Sequence, residues 1–72
     1  MRITVNGKSV YVTHERLGYK EIVRLAEMAE YQADLLEVRY ERGVMPQRGI
    51  MEPGDIVKSQ PSTIFTVTKK SR

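Results

Sequence analysis

The side chains that could carry out chemistry are few and far apart. His14 is the only histidine and cysteine is absent, so thiolate nucleophiles, disulfides and thiolate metal sites are excluded. General acid–base work by His14 requires a facing carboxylate or nucleophile, and Glu15 is merely its neighbour in the chain. Its place just after an alternating run makes it a surface loop residue rather than a catalyst. Asp34, Glu37 and Glu41 are of the right type for a hard cation, yet they are scattered and no oxygen-rich loop gathers them. Asn6-Gly7-Lys8 has a slight likeness to a phosphate loop. A phosphate cradle, however, needs a run of backbone amides opening a helix, and this turn joins two extended runs. The expectation is a chain without catalysis, cofactor or metal.

Recognition is what remains, and charge bears on it. The net charge is +3, and Lys69, Lys70 and Arg72 account for all of it, since the first 68 residues hold nine basic and nine acidic side chains. Nucleic-acid modules usually cluster Lys and Arg on the folded surface with aromatics between them. Here the body alternates in sign, which argues against a nucleic-acid partner. The cationic end could be a nucleic-acid arm, a handle for another protein, or frayed residues.

With 72 residues the chain makes one domain. A domain of this size buries only about 60% of its unfolded surface, which leaves no room for an enclosed active site. Hydrophobic residues are 40% and charged residues 29%, a globular balance. No apolar run approaches the roughly 18 residues that span a bilayer, and the N-terminus lacks a signal-peptide pattern. A small domain without cysteine fits the cytoplasm.

The elements follow from periodicity. In RITVNGKSVYVT, Ile3 and Val5 alternate with polar residues, as do Val10 and Val12, and Asn6-Gly7 supplies the two positive-φ positions of a tight hairpin. GYKEIVRLAEMAEYQ changes period: Ile22, Leu25, Ala26 and Ala29 line one helical face, broadened by Tyr19, Val23 and Met28. Gly18 serves as N-cap, with Glu21 three residues on and Leu17 and Ile22 placed as a hydrophobic staple. Nothing stops this helix sharply, and its end is expected near Tyr31. LLEVRYER returns to alternation, with Leu36, Val38 and Tyr40 on one face. The next twenty residues hold three glycines and all three prolines, a turn-rich stretch containing a type II turn at Pro53-Gly54 and a brief strand at Ile56-Val57. Met45 and Met51 fall there, as flexible gap fillers or as part of a methionine-lined partner surface. TIFTVTK closes the series as a strand.

One helix and one sheet face favour a single arrangement: the helix crosses the sheet and covers its apolar side. The link from the second strand through the helix is long enough for a right-handed crossover. A final strand that follows a long turn-rich segment commonly inserts beside the first. The expected fold is α+β, a β-grasp with a mixed sheet of four or five strands and one helix packed across it, occupying residues 1–68, with 69–72 as a flexible basic C-terminal tail.

This order resembles that of ubiquitin-like proteins, and PSTIFTVTKK is similar to ubiquitin's last strand and basic extension. ITVNGKSVYV, YKEIVRLAE and MEPGDIV resemble, more specifically, the multiubiquitin-type domains of bacteria. The resemblance spans nearly the whole chain. It implies a protein modifier or modifier-like domain of a bacterial ubiquitination-like pathway, serving in conflict with phage or other mobile elements. The implied partners are activating-enzyme, conjugating-enzyme and processing-peptidase homologues. One departure matters: ubiquitin and the sulfur carriers end in Gly-Gly, because only glycine threads an activating-enzyme channel without side-chain clash. This sequence reads Lys69-Lys70-Ser71-Arg72 there, which argues against sulfur carriage and leaves conjugation dependent on a longer precursor or tolerant enzymes.

If Val10, Val12, Phe65 and Val67 face the helix, then Tyr11, Ile64 and Thr66 lie on the opposite sheet face. The resembled family meets partners there, and aromatics are favoured interface anchors. The expected partner-binding residues are Tyr11, Ile64, Thr66, Lys69, Lys70 and Arg72, in a monomer. Two other readings stay open: a non-covalent docking or adaptor module on the same fold, and a small nucleic-acid binder. Scattered exposed apolar side chains without a task are the plainer account of Tyr11 and Ile64.

Overall fold

The computed structural model describes residues 1–31, 35–44 and 47–70. β1 (Arg2–Val5) and β2 (Lys8–Tyr11) form the antiparallel hairpin, in register Val5↔Lys8 through Arg2↔Tyr11. Asn6 at φ 50° and Gly7 at φ 81° supply the two left-handed turn positions. Met1 and Val12 extend the pairing by exchanging hydrogen bonds of 2.9 and 2.8 Å.

The next element departs from the sequence reading. Arg16–Gly18 is a short strand, β3, where a loop was expected. It pairs antiparallel with β6 (Ile56–Lys58), in register Leu17↔Val57, as a separate two-stranded sheet. Leu17 anchors it, fully buried in the core.

α1 spans Tyr19–Leu25 and is shorter than its periodicity suggested. Gly18 is its N-cap, and the Gly18 N–H donates to Glu21 Oε1 at 3.3 Å. Tyr19, Ile22 and Val23 face inward, so the staple partners Leu17 and Ile22 are both buried. The end is a Schellman motif. The Glu27 N–H donates to Arg24 O at 3.0 Å and the Met28 N–H to Val23 O at 3.1 Å. Glu27 itself stands at φ 61°, the position glycine usually fills. The helix therefore stops six residues before Tyr31, and Ala29, expected on its buried face, is exposed beyond it.

β4 (Leu36–Glu41), β5 (Gly49–Met51) and β7 (Ile64–Lys69) complete the main sheet in the order β2-β1-β7-β4-β5. β5 lies inside the turn-rich stretch, where the one strand expected was the brief one at Ile56-Val57. β7 is central, parallel to β1 (Thr4↔Ile64, Val5↔Phe65) and antiparallel to β4 from Leu36↔Lys69 to Glu41↔Ile64. Where β1 ends, Asn6 continues its ladder with a side chain: Oδ1 accepts from the Val67 N–H at 2.7 Å and Nδ2 donates to Val67 O at 3.1 Å. The turn at Pro53-Gly54 forms as expected, with Gly54 at φ 96° and the Asp55 N–H donating to Glu52 O at 2.9 Å.

The core gathers Ile3 and Val5, Leu17, Ile22, Leu36 and Val38, and Phe65 and Val67, all essentially buried. Phe65 at its centre meets Tyr40 with ring centroids 6.2 Å apart. Removing a buried phenyl ring typically costs about 3–5 kcal/mol, a large share of the roughly 5–15 kcal/mol that holds a domain together. Met51 is core and Met28 packs half-buried against it; Met45 lies outside the described residues. Lys69 and Lys70, assigned to the tail from sequence, are held. Lys69 ends β7, with its Nζ 4.3 Å from the Tyr31 ring centroid, and the Lys70 N–H donates to Leu35 O at 2.8 Å.

Candidate partner-binding surface

Alternation along each strand divides the main sheet into a helix side and an outer side. β7 turns Phe65 and Val67 inward, leaving Ile64 half-buried and Thr66 exposed on the other face. β4 turns Leu36, Val38 and Tyr40 inward and Glu37, Arg39 and Glu41 outward. Cross-strand register then assembles the outer face: Ile64 stands between Thr4 and Glu41, and Thr66 beside Arg39, which is itself opposite Ile50.

An open depression of about 370 Å³ forms there, lined by Arg39, Glu41, Arg48, Ile50, Ile64 and Thr66. Ile50 is 54% exposed, a branched apolar side chain left in water on the short strand β5. Arg39 Nε donates to Glu37 Oε2, so that guanidinium is already paired. The surface offers two apolar side chains within a ring of mixed charge. Such an arrangement suits a protein partner better than a phosphate backbone, which demands one sign of charge.

The six residues expected from sequence fall in several places. Ile64 and Thr66 come together. Tyr11, 73% exposed, stands on the outer edge strand opposite Arg2, two strands across and two residue pairs along from Ile64. With strands about 4.8 Å apart, that is about 10 Å of lateral separation, within one partner's reach but not one pocket. Lys69 shares the inward parity of Phe65 and Val67 and stacks on Tyr31 behind the sheet. Lys70 is exposed, its N–H tied to Leu35 O, and Arg72 lies outside the described residues. Sequence reasoning missed Ile50 and Arg48. The only signal for them was the Gly49-Ile50-Met51 alternation, buried in a stretch dominated by turn residues.

His14 and Glu37 each have a surface partner. His14 Nε2 lies 2.8 Å from Glu21 Oε2, the same carboxylate that caps α1, so the lone histidine props a helix end on the surface. Glu37 is paired with Arg39, and Asp34 lies outside the described residues. Among the described residues no three His, Asp or Glu side chains gather as a metal site, and no helix is long and apolar enough to cross a membrane.

A hairpin, a helix laid on its apolar face and a last strand inserted parallel to the first define a β-grasp domain of the ubiquitin-like class, presenting a bare outer sheet face. The family model described as Multiubiquitin matches residues 1–71, and the chain belongs to that family. Neither the curated proteins nor the solved structures give a match to it.

Proposed function

We propose that this domain acts as a protein modifier of a bacterial ubiquitination-like pathway, in the cytoplasm, gripped by activating, conjugating or processing enzymes on its outer sheet face. The observation that carries this reading is the apolar pair Ile50 and Ile64 set among Thr66, Arg39 and Glu41, with Ile64 and Thr66 on the strand that leads to the cationic end. Ile64 and Ile50 supply desolvation and the surrounding charges set orientation. Lys70 and the residues beyond it steer the carboxyl side of β7 toward an acidic channel.

The test pairs binding with chemistry. The full-length protein is incubated with an activating-enzyme homologue from the same source, and ATP. Adenylate or a covalent adduct is expected, lost in Ile50→Asp and Ile64→Asp and kept in Ile56→Asp, which alters an exposed isoleucine on β6 instead. No adenylate, adduct or binding at micromolar protein would overturn it.

A non-covalent docking module is the second reading, and one observation favours it. The chain is tied down as far as Lys70, by Tyr31 and Leu35, rather than released after Thr68. Replacing Ser71 and Arg72 separates the two: a docking module keeps its partner, and a modifier loses transfer.

A further inference from the structure

We propose that Asn6 is a deamidation site gated by the central strand, and that its conversion releases the end of β7. The inference is independent of the modifier reading. Asn6 is the only asparagine in the chain and Gly7 follows it. A glycine on the carboxyl side has no side chain to hinder its own nitrogen, so that nitrogen reaches the asparagine Cγ more readily than in any other dipeptide.

The fold holds that reaction back. Asn6 Oδ1 accepts from the Val67 N–H at 2.7 Å, and Nδ2 donates to Val67 O at 3.1 Å while lying 3.9 Å from the Met28 sulfur. The Asn6 N–H is bound to Phe65 O at 3.0 Å. The side-chain amide is thus turned across the sheet, toward β7 and away from Gly7. Ring closure must swing Cγ back to the Gly7 nitrogen, which breaks both bonds to Val67. Conversion therefore proceeds through local opening of the β1–β7 seam.

The chemistry balances with water alone. The Gly7 nitrogen attacks Cγ and loses its proton, a C–N bond forms, and the Cγ–Nδ2 bond breaks to release ammonia. Water then adds to either carbonyl of the succinimide, giving aspartate or its β-linked isomer without oxidation or reduction. Neither product restores the native seam. A carboxylate still accepts from the Val67 N–H but offers no proton to Val67 O, and sets a negative charge against it. The β-linked isomer adds a backbone methylene to a two-residue turn that has no room for one. Past Phe65, β7 then loses its β1-side support and keeps β4, through Val67↔Val38 and Leu36↔Lys69, with the contacts of Lys69 to Tyr31 and of Lys70 to Leu35 at its end. A brief opening becomes a lasting one.

The experiment follows the full chain at mildly alkaline pH, quantifying both products at position 6 by peptide mapping, in buffer and in denaturing urea. Two hydrogen bonds of ordinary net strength predict conversion about ten- to thirtyfold slower in buffer. Val67→Ala, which loosens β7 and leaves the Asn-Gly pair intact, should speed conversion in buffer and not in urea. Asn6→Asp should raise hydrogen exchange at residues 67–70 about tenfold, with the β3–β6 amides unchanged. Equal rates in buffer and urea, an unaffected Val67→Ala, or wild-type exchange in Asn6→Asp would each overturn the proposal. Should Asn6→Asp fail to fold, the two rate comparisons still decide it.

Discussion

Replacing Glu27 by glycine should stabilise the domain. Glu27 is the C′ residue of the Schellman motif, held at φ 61° while its N–H and that of Met28 close the helix on Arg24 O and Val23 O. A left-handed backbone costs a residue with a Cβ about 1–2 kcal/mol, and glycine none of that. Glycine also loosens the unfolded chain, which returns about 0.4–1 kcal/mol. The substitution removes the ion pair with Lys8 as well, but that pair is 3.9 Å long with side chains 73% and 78% exposed, and such pairs contribute next to nothing. The net gain for Glu27→Gly is then about 0.5–1 kcal/mol. In a domain of this size it should raise Tm by about 3–7 °C, and the urea midpoint should rise with m unchanged. Thermal and urea melts followed by circular dichroism measure both. Glu27→Ala is the control, because it removes the same carboxylate and keeps the Cβ. Equal melting of the glycine and alanine variants would refute the backbone argument, whatever its direction relative to wild type.

Other substitutions probe single contacts. Thr63, fully buried, donates through Oγ1 to Arg42 O and accepts from the Gln60 N–H, both at 2.9 Å. Thr63→Val should lower stability by about 1–3 kcal/mol in a urea melt, chiefly because the Gln60 N–H is stranded. Ser59 is buried and its Oγ has no partner among the described residues, so Ser59→Ala should leave the melt unchanged or raise it by about 1 kcal/mol. Tyr31→Ala removes the ring beneath Lys69 Nζ. It should weaken the seam by about 0.5–1 kcal/mol and speed exchange of the Lys70 amide, leaving the Tyr19–Leu25 amides protected.

What the sequence revealed depended on whether a local rule acted alone. Asn6-Gly7 dictated its hairpin because two adjacent positive-φ sites leave few other geometries. Phe65 and Val67 pointed inward as read, since a six-residue alternating run has only two faces. The helix end was hidden because Glu27 does a glycine's task, and nothing in its chemistry announces that. β3 was hidden because three residues make no period; Leu17 becomes a strand residue only when Val57 arrives from forty residues away. Charge density made Lys69 look solvated, and it is exposed, yet the Tyr31 ring and Leu35 carbonyl hold that end of the chain. Of the outer face, Ile64 and Thr66 were legible from parity. Ile50 needed the register with Arg39, which belongs to the sheet and not to its own segment.

The strand made last is the strand the sheet closes around. During synthesis β1 lacks its parallel neighbour until residues near 65 have been made, so the main sheet cannot close from the N-terminal half alone. Were several such domains strung on one polypeptide, the vacant slot beside β1 would accept β7 from any copy of similar sequence. Correct assembly would then rest on each copy's own final strand arriving before its neighbour's does.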